Sequence, residues 1–361
     1  MSCLNFLYKV RNGKSPDADP SISARIFVNF WKLPVKEHWY NSKKYRRWLD
    51  IGVIVEGVSD NIEEIAICLP FKIGKEDIKD LSEYVKNEKF VSHIMKKRYR
   101  LLSLPDTPAY YRLQSLDNQV EVRPLYLYEI CDNSKDIKDL KDGSKFTVKM
   151  LSHPKDSKEI KESPDEKSTA KKTYDLYFQF RIIGLSDKNL SHNEVISNDF
   201  IQSAFAKSEM VDIIFNDITN IDHSDHQQIT QEHELLQLSK VDFAFIGSSE
   251  DETVNGNLPL ADCELLDNEL WKEYMEGIET DGKKCIAYHW KVEKEPWKVF
   301  FKTVYSARNW KRILKYALVV ILLSFLASCM LEGIKHVYHY IDELRQENSA
   351  PKTQPLSSNN H

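Results

Sequence analysis

The sequence predicts an α+β fold, with a β-dominated cytosolic region followed by a single C-terminal transmembrane helix. Most segments before residue 293 are rich in β-branched and aromatic residues and are bounded by turn-forming residues, which is typical of strands. Helical segments are few and do not alternate regularly with the strands, whereas a Rossmann or barrel fold requires regular alternation. One long apolar run, YALVVILLSFLASCM at 316–330, lies near the C-terminus.

The individual elements follow from hydrophobic spacing. YDLYFQF at 174–180 alternates in a two-residue period, so one face should be buried and the other solvated. Strands are predicted at 25–33, 50–58, 64–71, 120–131, 145–151, 174–185, 210–215, 241–247 and 284–292. Helices are predicted at 75–95, 199–210 and 261–278.

Residues 152–172 are predicted to be a disordered charged loop or linker. The segment is rich in charge, contains Ser and Pro, and has almost no large apolar residue that could join a core. It either separates a β-rich domain at 1–150 from an α+β region at 173–295, or it is a long insertion between two strands of one domain. In the second case, residues 1–150 are a half-domain.

The composition excludes several classes of protein. A formal net charge of −5 provides no bulk positive charge for a dedicated nucleic-acid binder. The six cysteines are scattered without a CxxC pair, which argues against a disulfide framework and against a structural zinc site. Reduced thiols indicate the cytosolic side of a membrane. The N-terminal segment MSCLNFLYKVRNGKS has too short an apolar run for a secretory signal.

Residues 313–334 are predicted to form the transmembrane helix. The segment is about 22 residues long, or about 33 Å of helix, which is enough to cross a bilayer. Six basic residues lie between 298 and 315 and two between 331 and 348. The positive-inside rule therefore places the N-terminal region in the cytoplasm and residues 335–361 outside, as a short extracytoplasmic tail. If the source is bacterial, the membrane is the inner membrane. The alternative is a buried helix of a soluble protein.

The residues before this span also have amphipathic character. Large apolar residues from Trp297 to Tyr305 recur at helical spacing, so residues 296–312 are predicted to form an amphipathic juxtamembrane helix. This helix either lies on anionic headgroups or packs on the soluble region. Aromatic and basic residues expected at the membrane interface are Trp310, Lys311, Arg312, Lys315 and Tyr316.

Two features of the span favour association between helices. Ser324 and Ser328 form a small-xxx-small pair that allows two helix backbones to approach closely. Beyond the span, an apolar stripe continues at helical spacing through Ile334, Val337, Tyr338, Ile341 and Leu344. A homo-oligomer in the lipid bilayer is therefore expected.

The sequence contains no recognisable catalytic motif. A phosphate-binding glycine loop, a GxSxG elbow and an HExxH motif are all missing from it. His223, His226 and His233 lie close together, but their spacing matches no zinc motif and their segment, 220–236, has the polarity of a solvated loop. We therefore predict a protein that is not an enzyme and that needs neither a cofactor nor a metal.

The best candidate for ligand binding is a basic and aromatic patch at 43–48. Cations can bind phosphates while rings stack on bases, so this patch could bind a nucleic acid, a nucleotide or anionic lipid. The alternative is a solvated turn with aromatic residues in the core. The patch comprises Lys43, Lys44, Tyr45, Arg46, Arg47 and Trp48.

The layout of the chain resembles membrane effectors of bacterial anti-phage defence systems. A cytosolic region without a readable active site is joined by WKRILKYALVVILLSFLASCM to a short tail. The resemblance covers the whole chain but rests on no motif, so it assigns a role to no residue. It implies a protein that is both sensor and effector and that is controlled by a ligand or a regulatory protein partner. This protein is restrained until infection, when it assembles and disrupts the membrane. Such effectors typically have two or more spans, and one is visible here. The alternative is a non-enzymatic membrane-tethered scaffold or ligand-binding protein.

Overall fold

The fold is described from a computed structural model, which divides the chain into two compact units, residues 1–307 and 308–361. Both sheets of the protein lie in the first unit, and one long helix makes up the described part of the second. The described residues are 2–11, 22–35, 44–58, 62–95, 97–104, 109–116, 123–150, 173–194, 206–266, 271, 273–275, 284–306 and 310–349.

The first sheet has nine strands, which come from the beginning, middle and end of the first unit. Its main path runs in the order β16-β19-β13-β1-β4-β10-β9, with β12 beside β13 and β14 beside β1. The β1–β13 pair is parallel, whereas the other pairs are antiparallel. The strands are β1 (Ser2–Val10), β4 (Ile62–Leu69), β9 (Lys135–Asp139), β10 (Ser144–Lys149), β12 (Ser191–Glu194), β13 (Ala206–Phe215), β14 (Glu234–Leu235), β16 (Glu252–Asn255) and β19 (Lys298–Ser306).

The second sheet has ten strands and includes the two longest. Its main path runs in the order β17-β18-β15-β2-β3-β11-β8-β7-β6, with β5 beside β11. The β2–β15 and β8–β11 pairs are parallel. The strands are β2 (Ser23–Val35), β3 (Lys44–Val58), β5 (Ile78–Asp80), β6 (Tyr99–Ser103), β7 (Tyr110–Ser115), β8 (Leu125–Tyr128), β11 (Tyr174–Ile182), β15 (Gln237–Ser248), β17 (Asp262–Leu265) and β18 (Cys285–Val292).

The two sheets pack face to face as a β-sandwich. The inward-facing residues of both sheets form one apolar core, and rings from opposite sheets make direct contact in it. The ring centroids of Phe146 on β10 and Phe180 on β11 are 4.7 Å apart, and those of Phe301 on β19 and Phe245 on β15 are 5.0 Å apart. This core explains why the alternating segments form strands, since each strand buries one face in it.

The sandwich unites the two halves of the chain. Because β1 pairs with β13 and β2 pairs with β15, both sheets contain strands from before and after residues 152–172. The structure therefore favours a single domain with an insertion between β10 and β11 over two separate domains. Residues 151–172 themselves lie outside the described residues.

The predicted amphipathic helix at 296–312 is wrong over Lys298–Ser306, which form strand β19. It pairs with β13 along its whole length and with β16 on its other edge. Val299, Phe301, Thr303 and Tyr305 are buried, while Phe300, Lys302 and Val304 between them are partly exposed. Adjacent large residues such as Phe300 and Phe301 fit both a helical and a two-residue period, and pairing with β13 selects the strand.

Three short α-helices have defined bounds among the described residues of the first unit: α1 (Ser82–Val85), α2 (Glu88–Met95) and α3 (His223–Glu232). The predicted helix at 75–95 is wrong as a single element, because Ile78–Asp80 pairs with β11 as β5 and interrupts it. The polar segment 220–236, predicted as a loop, contains α3.

Two further predicted helices are changed by strand pairing. Of the predicted helix at 199–210, residues 206–210 belong to β13, which pairs on both sides, and the rest lies outside the described residues. Of the predicted helix at 261–278, residues 262–265 form β17, because they pair with β18.

Helix α4 (Trp310–Ser349) forms the second unit and contains the predicted span at 313–334. Its segment Leu314–Arg345 is long and apolar enough to cross a membrane, and none of its apolar window is buried. Among the described residues it is the one helix with these properties. The α+β, β-dominated prediction with one C-terminal candidate span is thus confirmed. The helix also extends through residue 349, into the segment predicted as a short tail.

Candidate functional site

The predicted ligand patch at 43–48 is divided between the two faces of β3. Tyr45 and Arg47 point to one face, while Arg46 and Trp48 point to the other. Arg46 is exposed, but Arg47 and Trp48 are only 5% and 3% exposed. Lys43 and the side chain of Lys44 lie outside the described residues. The predicted patch therefore does not form one exposed surface, because strand alternation points Arg47 into the sandwich and Arg46 away from it.

Arg47 belongs to a buried ionic cluster between the two sheets. The Glu209 carboxylate on β13 lies 2.6 Å from Lys32 Nζ on β2 and 3.3 Å from a terminal nitrogen of Arg47. Arg47 also contacts the carboxylate of Asp187. Burial raises the pKa of Glu209, but the two cations outweigh burial and hold this pKa below its usual value. Burial lowers the pKa of Lys32, against the opposing effect of Glu209.

Aromatic rings complete this cluster. The Lys32 ammonium lies 3.4 Å from the centroid of Tyr305 and 4.5 Å from that of Tyr45. Tyr305 is near the end of β19, the last strand before α4 in the chain. Arg47, one of the cations that suggested phosphate binding, is thus partnered within the protein, and the cluster joins the two sheets.

Trp48 belongs to a second buried network, on the outer face of the ten-stranded sheet. Its ring stacks on Trp31 at 5.3 Å and lies near the Arg181 guanidinium. Arg181 binds Asp50 through two nitrogens, at 2.7 and 3.1 Å, and donates a third hydrogen bond to the carbonyl oxygen of Tyr274. The Tyr274 hydroxyl donates to Asp50 at 2.6 Å. This network holds Tyr274 against the sheet.

Beside this network lies a cavity of about 320 Å³, which is the best candidate for a ligand site. The register of the paired strands shows which residues form the floor of the cavity. Asn29 on β2, Ala244 on β15, His289 on β18 and Asp262 on β17 form one cross-strand row. The small side chains of Ala244 and of Ala287 in the next row leave space above the sheet, which larger residues would fill.

Apolar and aromatic side chains form the walls of the cavity. Trp31 and Phe27 rise from β2, and Met95 from α2 and Trp271 close it from above. The tilted pair of Trp31 and Trp271, with centroids 5.9 Å apart, joins the floor to the cover. A flat ring of ligand size would therefore find aromatic surface on more than one side.

Polar groups of both signs line the same cavity. Three cations and three carboxylates contribute to it: Arg25, Lys240, Lys291, Asp242, Asp262 and Glu264. Several of these charges are paired, with Lys240 3.0 Å from Asp242 and His289 3.5 Å from Glu264. The balance of charge suits a small neutral or zwitterionic ligand better than a polyphosphate backbone, which needs an excess of cations.

The histidines at 223–233 do not form a metal site. In the described part of the chain, no three His, Cys, Asp or Glu residues converge as metal ligands. His233 is buried and its Nε2 lies 2.8 Å from Glu64 on β4, whereas His223 and His226 lie on α3. The hydrogen bond from His233 holds the pKa of Glu64 below its usual value.

The predicted association pair lies on α4, and its hydroxyls are partnered within the helix. Ser324 donates to the carbonyl oxygen of Val320 at 2.9 Å, and Ser328 donates to that of Ser324 at 3.0 Å. Of the predicted interface residues, Lys315 is exposed and Tyr316 partly exposed. Trp310, Lys311 and Arg312 begin the helix, and their side chains lie outside the described part.

Sequence reasoning missed the cavity. The signal was present in the strands it identified, where polar or small residues such as Asn29, Ala244 and His289 alternate with large core residues. Only the strand order shows that these positions are neighbours. No protein-family model matches the chain, and no curated protein is significantly similar to it.

Proposed function

We propose that this chain is a single-pass membrane protein whose cytosolic β-sandwich senses a ligand and whose α4 helix assembles in the bilayer. In this proposal assembly disrupts the membrane as part of antiviral defence, as the resemblance of its layout implies. The sandwich is the sensor, and α4 is the effector. The protein performs no catalysis.

The observation that supports this proposal is the exposure of α4. Over the apolar stretch, side chains such as Leu322, Phe325 and Met330 are 52%, 67% and 69% exposed. A soluble protein rarely leaves so large an apolar surface uncovered, whereas lipid covers it at no cost. The excess of cations on the N-terminal side of the apolar stretch supports a cytoplasmic sandwich and an extracytoplasmic C-terminus.

The cavity on the ten-stranded sheet supports the sensing role. It replaces the patch at 43–48 as the ligand site, since Arg47 and Trp48 are buried and partnered. Its aromatic walls and mixed polar rim favour a small planar ligand such as a nucleobase. A thermal-shift screen of residues 1–307 with nucleosides and with an oligonucleotide tests this. Stabilisation by a nucleoside that Asn29→Leu removes supports the cavity, and stabilisation by the oligonucleotide alone contradicts it.

Inducible expression in bacteria tests the membrane role. The full chain, residues 1–307 and a Leu322→Arg, Leu326→Arg variant are compared by membrane fractionation and by a voltage-sensitive dye. The truncation ends after β19, so the sandwich keeps all its described strands. The two arginines keep the chain length but each cost about 3 kcal/mol at the centre of a span.

We expect the full chain alone to enter the membrane fraction and to depolarise the cells. Depolarisation by residues 1–307 would contradict the assignment of α4 as effector. A full chain that enters the membrane but leaves the potential unchanged, with candidate ligands present, would favour the scaffold alternative.

A further inference from the structure

Helix α4 changes character at Glu332. From Tyr316 to Leu331 the helix is apolar on nearly all sides, as expected in lipid. After Glu332, apolar residues are confined to one stripe, and the other positions are charged or polar. The first part, 313–331, is about 28 Å long, which is close to the thickness of a hydrocarbon core. Residues 332–349 therefore form an amphipathic helix in water, beyond the bilayer.

The apolar stripe of this second part follows a heptad. Ile334, Val337, Ile341 and Leu344 are spaced by three, four and three residues, as are positions a and d of a coiled coil. Charged or histidine residues occupy all the b, c and f positions from 332 to 344: Glu332, Lys335, His336, His339, Asp342 and Glu343. The four seam residues are 40–58% exposed.

We propose that this seam pairs α4 with the α4 of a second copy, as a parallel two-stranded coiled coil just outside the membrane. The inference deepens the proposed function and rests on it only in taking α4 as a membrane span. Copies that insert in the same orientation are parallel, so identical seam residues meet at the same depth. The span also confines the copies, which raises their effective concentration and compensates for a short coil.

The second a/d pair of the seam favours two strands. Isoleucine at a with leucine at d is the preferred combination of parallel dimers, and here Ile341 and Leu344 provide it. The next a position along the chain is Asn348, and asparagine at a also specifies register and pairing.

Gly333 and Tyr338 provide a second, independent indication. A Cβ at Gly333 would meet no atom within 4 Å, so packing within the chain does not require glycine there. Glycine is also unfavourable in the interior of a helix. Gly333 is at position g and Tyr338 at the following e position, which face each other across a parallel pair. The apolar groove lined by Gly333, Ile334 and Val337 could thus receive the 68%-exposed Tyr338 ring of the second copy.

Disulfide cross-linking of the full chain in bacterial membranes tests this pairing. In a background where Cys131, Cys263 and Cys329, the cysteines that are not buried, are replaced by serine, one cysteine is introduced at Val337 or Ile341 of the seam, and one at His339 in position f as the control at the same depth. Oxidation with copper phenanthroline is followed on non-reducing gels. We expect at least five-fold more cross-linked dimer from Val337→Cys and Ile341→Cys than from His339→Cys.

Equal cross-linking at all three positions would overturn the seam, as would its absence at both seam positions. A Gly333→Phe variant in the seam-cysteine background provides a second readout, because a ring at position g would displace Tyr338. Cross-linking should fall at least five-fold in this variant, and unchanged cross-linking would contradict the packing. Depolarisation is measured in the same cells. Seam cross-linking without depolarisation supports the pair and contradicts membrane disruption, whereas depolarisation without seam cross-linking contradicts the pair alone.

Discussion

The two neighbouring phenylalanines of β19 give the sharpest test of the fold. Phe301 points into the sandwich, is 0% exposed and contacts Phe243, Phe245 and Trp290. Phe300 points to the opposite face and is partly exposed. In an amphipathic helix at 296–312, both rings would lie on the same apolar face. The strand therefore predicts different effects for two substitutions that a helix would make similar.

Phe301→Ala should cost about 3–5 kcal/mol of unfolding free energy, the usual range for deleting a fully buried ring. Phe300→Ala should cost less than about 1.5 kcal/mol, since its ring keeps part of its contact with water. In residues 1–307, these values correspond to a loss of roughly 5–8 °C for Phe301→Ala and less than about 2.5 °C for Phe300→Ala.

Both variants are compared with the parent by chemical denaturation and by thermal unfolding monitored by circular dichroism. A change in midpoint at a constant denaturant slope would show that the native state has lost stability. Equal losses for the two variants, or a larger loss for Phe300→Ala, would refute the strand and its inward face.

Two further predictions concern buried charges of the sandwich. Glu209→Gln leaves Lys32 and Arg47 without their shared carboxylate and should lower the free energy of unfolding, measured with denaturant, by about 3–5 kcal/mol. Asp187→Asn changes the 62%-exposed end of the cluster and should lower this free energy by no more than about 1 kcal/mol. Similar losses for both variants would contradict the buried cluster. The depressed pKa of Glu64 adds stability above its unfolded pKa of about 4.3, and this stability is lost as pH falls through the lower folded pKa. A melting temperature measured from pH 6 to pH 3 should therefore fall more steeply for the parent than for Glu64→Gln, and parallel curves would contradict the linkage.

The strands that sequence reasoning identified are those with a strong local signal. Segments such as 241–247 and 284–292 contain β-branched and aromatic residues and bury one face in the core. Short strands such as Glu252–Asn255 and Asp262–Leu265 were missed, because they are polar edge strands whose conformation depends on pairing with β19 and β18. Propensity provides no information on such pairing.

The basic patch shows a different limit of sequence reasoning. Lys44, Arg46 and Arg47 look alike in the sequence, and the spacing of rings around them fits phosphate binding. The residue that decides the role of Arg47 is Glu209, which is 162 positions away in the chain. Sequence spacing could not identify that partner, because two sheets must first pack against each other to bring the side chains together.

The C-terminal helix was predictable because its environment is nearly uniform. Each residue of an isolated helix in lipid is described by its hydrophobicity and its position around the axis, and both can be read from the sequence. The same property separates two faces on α4. At 3.6 residues per turn, the centre of Ser324 and Ser328 lies roughly 140° around the helix from the centre of the four-residue seam.

Two separate faces resolve a difficulty in the proposed mechanism. A parallel pair of single spans encloses no channel, so the seam alone cannot account for membrane disruption. A pair joined at the seam still presents the small residues Ser324 and Ser328 on its outer side, where another pair can approach closely. Because their hydroxyls are satisfied within the helix, this second contact would depend on backbone packing and would be weaker than the seam. A stable pair with a weaker second face is the arrangement that a ligand-controlled assembly needs, since the dimer can persist at rest while larger assemblies form only on activation.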